Sequence, residues 1–134
     1  MILTIRNDLK ELSRLAERLS DFGREAGFPP SVIFQVQLAL DEIVTNIISY
    51  GYTDEDEHHI RVRLDRQNGS LVITVEDDAR AFNPLDVPTP DLSASLNDRP
   101  IGGLGIHLVR RVMDALTYRR EQDRNILVLT KHYP

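Results

Sequence analysis

The chain has 134 residues, 41 % of them hydrophobic, and a formal net charge of −5 from 16 basic and 21 acidic side chains. That length serves one domain, 1–134, able to bury roughly two-thirds of its unfolded surface, and the absence of cysteine excludes disulfides, thiolate zinc sites and a cysteine nucleophile. The acidic balance argues against direct binding of nucleic acid, which needs a basic patch, and favours protein and small-molecule partners.

The N-terminus becomes charged at Arg6, too early for a signal peptide, and we expect no membrane-spanning segment and no membrane partner, which predicts a cytoplasmic location. Leu3, Thr4 and Ile5 alternate as a short strand, with Asn7 or Asp8 placed to cap a helix. Leu9, Leu12, Leu15, Ala16, Leu19 and Phe22 then recur at three- and four-residue steps. This spacing predicts a helix with one apolar stripe and a solvated face of Lys10, Glu11, Arg14, Glu17, Arg18 and Asp21, ended by Gly27 and Pro29-Pro30.

A second helix is predicted from Ser31 to about Tyr50. Val36, Leu40, Ile43, Val44 and Ile47 cover one side, and Leu38, Ala39 and Ile48 make much of the rest apolar, so it should be largely buried. Yet Gln35, Glu42 and Asn46 share one narrow strip, with Glu42 and Asn46 a turn apart. A buried carboxylate is costly without a partner. A single glutamate usually finds an arginine or reaches solvent, whereas a glutamate and an asparagine stacked on an apolar helix suit a polar cavity holding a cation or ligand. Asp41 points away from that strip.

Thr53 to Glu57 reads as an exposed acidic loop without a function. Adjacent His58 and His59 would face opposite sides of a strand, and His107 and His132 lack partners at metal-ligand spacing, so all four histidines read as structural or surface residues. Ile60, Val62 and Leu64, then Leu71, Ile73 and Val75, alternate on either side of Asn68-Gly69, predicting an antiparallel hairpin with one face in the core. The second of these strands runs into Glu76 to Pro84, whose acidic residues read by type alone as turn formers. Leu85 to Pro100 lacks a period and reads as a lid or binding loop, or else as a disordered stretch.

That loop leads into Ile101-Gly102-Gly103-Leu104-Gly105-Ile106-His107-Leu108-Val109. The glycines let the backbone approach a ligand, and a helical pattern of Ile106, Leu108, Val109, Val112, Met113 and Leu116 starts directly after them. Free N–H groups and the dipole at such a helix start favour an anion such as phosphate, although a glycine cluster there is often only a tight turn. Two closing strands, Thr117 to Glu121 and Ile126 to His132, are predicted around a turn of Gln122-Asp123-Arg124-Asn125.

In this order the chain resembles the GHKL (Bergerat-fold) ATP-binding superfamily, and more closely the stand-alone anti-sigma-factor serine/threonine kinases, the RsbW-like partner-switching proteins. Ala39-Leu40-Asp41-Glu42-Ile43-Val44-Thr45-Asn46 resembles that family's N box, Asp77 to Pro84 its first glycine box, and Gly102 to Val109 its second. The resemblance implies that Asn46 supplies a carbonyl to Mg²⁺ bridging the ATP phosphates, and that Glu42 is the general base that takes the proton from an acceptor serine. It implies that Asp77 accepts a hydrogen bond from the adenine amino group. Gly102, Gly103 and Gly105 would let the lid and the helix start wrap the phosphates, with the Leu104 and Ile106 amides donating to them. Three positions depart from the family pattern: Ala79 stands where a glycine is expected, Asn83 where an aspartate is common, and Ala81 where proline or glycine is frequent. An alanine at 79 costs on the order of 1 kcal/mol if the backbone there needs positive φ, and its methyl narrows the adenine pocket if the glycine makes room. Arg80 and Arg99 could contact phosphate by charge and position, but such arginines are more often plain surface residues and are not counted in the expected site.

The expected fold is an α/β two-layer sandwich, a mixed, mostly antiparallel sheet with helices on one face and ATP beneath the loop from Leu85 to Ile101. The expected function is an ATP- and Mg²⁺-dependent serine/threonine kinase that binds a sigma factor or similar client and phosphorylates that client's antagonist. The family resemblance implies a homodimer. The alternative is a partner-switching module in which ATP gates binding and no phosphate moves. A histidine-kinase catalytic domain ranks third, since the chain opens on a strand of its own.

Overall fold

The computed structural model describes residues 1–88 and 103–134, with the backbone alone at Gly103 and Leu104. Five strands, β1 (Ile2–Arg6), β2 (His59–Gln67), β3 (Ser70–Asp77), β4 (Ala115–Glu121) and β5 (Arg124–His132), form one sheet in the order β1-β2-β3-β5-β4. Every pair is antiparallel, so the parallel component expected of a mixed sheet is not found among the described residues. Helices α1 (Leu12–Ala26), α2 (Pro30–Tyr50) and α3 (Gly103–Val112) form the second layer of the α/β sandwich. Alternation decides which face they cover. Ile60, Val62 and Leu64 of β2, Leu71, Ile73 and Val75 of β3 and Leu127 and Leu129 of β5 are buried with Leu15, Leu19, Val36, Leu40, Ile43, Val44, Ile106 and Val109 in one core.

Local chemistry sets the element ends. Asn68 (φ 42°) and Gly69 (φ 81°) turn the β2–β3 hairpin, and Gly27 at φ 75° caps α1, its N–H reaching back to Arg24 O and that of Phe28 to Gly23 O. Pro30, at the first position of α2, lacks an N–H where none is needed.

At the first helix the structure departs from the periodic reading. Asp8 accepts from the Lys10 N–H at 2.9 Å and caps a short 3₁₀ turn, Leu9–Glu11, so Leu9 falls outside the apolar stripe and is 50 % exposed. Glu11, expected on the solvated face, is buried and held by the guanidinium groups of Arg6 (3.3 Å) and Arg14 (3.0 Å). Leu116 belongs to β4, paired with Leu129, because the chain leaves α3 at Met113 and the Asp114 N–H already bonds Thr130 O on β5. The helix α2, with 21 residues and a mean hydropathy of 1.3, is long and apolar enough to cross a bilayer, contrary to expectation. Its apolar side chains pack here against the sheet and the flanking helices, which is how the core helix of a two-layer sandwich comes to be apolar nearly all round.

Candidate functional site

Asp77 is the last residue of β3 and continues the inward alternation of Leu71, Ile73 and Val75, so a carboxylate is delivered to the core face and is only 3 % exposed. Its Oδ1 accepts from the Ala79 N–H (3.0 Å) and from Asn125 Nδ2 (2.8 Å). Among the described residues no hydrogen bond reaches its Oδ2. Burial pushes the Asp77 carboxyl above the ordinary carboxylate value, Asp78 adds to the rise, and the bonds from Asn125 and Ala79 and the charge of Arg120 oppose it.

A cavity of about 690 Å³ opens beside this carboxylate, within the range of small-molecule sites. Ile43, Asn46 and Ile47 of α2, Asp77 and the loop after it, Ile106 of α3, Tyr118 of β4 and Asn125 and Leu127 of β5 line it. Asn46 thus faces the same space as Asp77, one helix away. Ala79 lies in the cavity wall without strain, because positive φ among described non-glycine residues occurs only at Asn68, Gln122 and Asp123. Gly51 faces its methyl: a Cβ at 51 would stand 2.7 Å from Ala79 Cβ. The Arg80 N–H bonds Gly51 O at 2.9 Å, which ties the loop to the end of α2, and Arg80 lines the cavity.

Glu42, one turn before Asn46, is half-buried and directed at the start of α3. A Cβ at Gly105 would overlap the Glu42 carboxylate, so a side chain there would push that carboxylate aside. Gly103 and Leu104 form the first turn of α3 with Gly105 and Ile106. Beside Glu42, the Asp41 carboxyl is raised by partial burial and by the Glu42 charge. Gly102, Arg99 and most of the expected lid lie outside the described residues; of that lid the structure describes Leu85 to Pro88, including the end of a 3₁₀ turn, Pro84–Asp86, capped by Asn83.

Three residues the sequence reading did not select complete the site. The β4–β5 turn needs only Gln122 (φ 50°) and Asp123 (φ 60°), so Asn125, expected in the turn, lies within β5, buried opposite Asp77. Tyr118 Oη donates to Asn125 Oδ1 at 2.5 Å, and Arg120 Nη1 donates to Asn125 Oδ1 (3.0 Å) and Ala79 O (2.9 Å). Counting back by twos from Leu129 and Leu127 would have placed Asn125 on the buried face. The acidic loop is also joined to the site. His58 lies between Asp54 Oδ1 (2.7 Å) and Asp78 Oδ2 (3.0 Å), with its ring stacked on Tyr52 at 4.3 Å.

A family model described as the histidine kinase-like ATPase domain matches residues 5–131. The chain is similar to the serine/threonine-protein kinase BtrW of Bordetella bronchiseptica, 33 % identical over 99 residues that cover 74 % of this chain and 70 % of that protein. It is similar to the serine-protein kinase RsbW of Listeria monocytogenes, 26 % identical over 90 % of this chain and 78 % of the other, and to an anti-sigma F factor of Clostridium botulinum, 25 % identical over 74 % and 69 %. Among solved structures, the histidine kinase domain of a blue-light activated histidine kinase from Erythrobacter litoralis EL346 superposes with a TM-score of 0.57 at 18 % identity, over 92 % of this chain and 60 % of that domain. That likeness shows the fold.

Proposed function

The chain belongs to the family of histidine kinase-like ATPase domains, and from that membership we propose that it is an ATP-dependent serine/threonine protein kinase that sequesters a sigma factor or similar client and phosphorylates a serine of the client's antagonist. The observation that carries this reading is one cavity shared by Asp77, Asn46 and Ile106, a residue from each of the three family motifs, with Glu42 set against the start of α3 beside it.

Each residue has a part that its chemistry supports. Asp77 presents Oδ2, a buried acceptor without a described partner, to the adenine amino group. Asn46 offers a hard carbonyl oxygen, and one such ligand completed by phosphate and water oxygens suits Mg²⁺. The free N–H groups of Gly103, Leu104, Gly105 and Ile106 at the start of α3 hold the phosphates, with Gly102 at the end of the lid. Bound Mg-ATP supplies the γ-phosphoryl group and the charge neutralisation that in-line transfer requires. Glu42 takes the proton from the acceptor serine hydroxyl, so the partner's loop must reach the mouth between α2 and α3. The names of the relatives, two serine kinases and an anti-sigma factor, favour a protein substrate and the sigma-factor client. A cytoplasmic homodimer is part of the same reading.

Incubation with γ-labelled ATP and a serine-bearing antagonist tests the proposal. Label is expected on the serine with wild-type protein, and Glu42→Gln should lower the rate by about 10²-fold or more. Undiminished transfer by that variant would remove Glu42 as the base, and ATP binding without any transfer would favour the gating module.

A further inference from the structure

Asn125 uses its whole side chain on the walls of the cavity. Nδ2 donates to Asp77 Oδ1 (2.8 Å), Arg80 O (2.9 Å) and Ala79 O (3.3 Å). Oδ1 accepts from Tyr118 Oη (2.5 Å), Arg120 Nη1 (3.0 Å) and the Phe82 N–H (3.4 Å). Carboxylate and carbonyls surround one end and donors the other, so the amide has one orientation that satisfies the network. A side chain 5 % exposed, with every polar atom engaged on β3, on β4 and on the loop between, is a clamp and not a lining residue alone.

The clamp decides which oxygen of Asp77 is left for a ligand. Oδ1 already serves Asn125 and Ala79; Oδ2 remains. A single acceptor oxygen matches the one exocyclic amino group on the pairing edge of adenine. Guanine presents an N1–H and an amino group side by side, which a carboxylate receives with both oxygens. We propose that Asn125 is the positioning residue that confines Asp77 to one-oxygen recognition of a purine amino group, and thereby sets the preference for adenine over guanine nucleotides. This rests on the nucleotide-binding reading above.

The test is calorimetric titration of wild type, Asn125→Ala and Asn125→Asp with ATP and with GTP, together with thermal melts. In Asn125→Ala, ATP affinity is expected to fall about tenfold and the ATP-to-GTP affinity ratio by at least about tenfold, as Oδ1 loses its shorter bond, keeps only the Ala79 N–H and becomes able to accept from a ligand as well. Asn125→Asp keeps the shape but turns the carboxylate and two carbonyls against a second carboxylate. Its ATP affinity should be the lower of the two variants at pH 7.5 and should recover on acidification, as the two carboxyls come to share a proton. The other groups facing Asp77 are Asp78 on its own chain segment, Arg120 on β4 and Tyr52 after α2. A packing role alone would lower the melting temperature and leave both the ratio and the pH profile as in wild type, and that result overturns the inference. Wild type that binds no ATP overturns the nucleotide reading instead, and the clamp is then decided without ligand by the ¹³C titration of the Asp77 carboxyl. Its midpoint must rise in Asn125→Ala, and an unmoved midpoint overturns the clamp.

Discussion

At Asp77 a carboxylate is kept where burial disfavours its charge. A carboxyl whose folded pKa exceeds its unfolded value of 3.8 is favoured in the fold in its protonated form, and that advantage is lost as pH rises through the unfolded and then the folded value, so at neutral pH the Asp77 charge costs stability relative to the neutral carboxyl. Asp77→Asn keeps an oxygen for Ala79 and Asn125 and removes the charge. It should raise the melting temperature by about 2–4 °C at pH 7 while ATP affinity falls at least about tenfold, because a donor now meets the adenine amino group. A lower melting temperature would show that the charge stabilises the empty fold. Gly105 provides a second residue-scale test. Its missing Cβ gives room to the Glu42 carboxylate, so Gly105→Ala displaces the proposed base and should slow phosphoryl transfer about tenfold or more, with a smaller loss of ATP affinity. Equal losses in both would mean that the glycine serves the phosphates alone.

Among the elements, the segment between α2 and β2 is bound to the end of β3 through Asp78, which meets the His58 ring at 3.0 Å and accepts from the Tyr52 hydroxyl at 3.2 Å. The hydrogen bonds that the His58 ring donates to Asp78 and then to Asp54 raise its pKa above 6.5. His58 itself holds Asp54 low and, against partial burial, Asp78 also. A raised histidine gives its full stabilisation below pH 6.5 and loses it as pH climbs through the folded value; the lowered aspartates lose theirs as pH falls below 3.8. The tie is therefore strongest between these limits. Wild-type melting temperature should decline as pH rises above 6.5 by more than that of His58→Gln. Parallel curves for the two proteins would show that the ring contributes packing on Tyr52 and no charge. The loop 51–58 has a backbone anchor as well, the Arg80 N–H on Gly51 O, so loosening it also loosens the cavity wall at Ala79.

For the molecule as a whole, the site spans α2, the centre of the sheet and α3, so a ligand there should report on global stability. Mg-ATP at one hundred times its dissociation constant should stabilise the fold by about 2.7 kcal/mol. Asn46→Ala should bind ATP equally with and without magnesium, because the variant lacks the carbonyl proposed for the ion; a magnesium dependence retained in Asn46→Ala, measured by calorimetry, would move the ion elsewhere. Much of this was legible along the chain. The order of strands and helices, the Asn68-Gly69 hairpin, the polar strip of Glu42 and Asn46, and the helix opening at Gly103 follow from periodicity and turn chemistry, which act between residues a few positions apart. Other features were decided only in three dimensions. The burial of Glu11 between two arginines, the fit of the Ala79 methyl against Gly51 and the contact of Glu42 with Gly105 each join residues whose partners are chosen by packing. Asn125 shows the difference most directly. Its neighbours Gln122 and Asp123 mark a turn by their type, but only the β3–β5 register, specified across a separation of 48 positions by which face of each strand is apolar, sets its amide on Asp77.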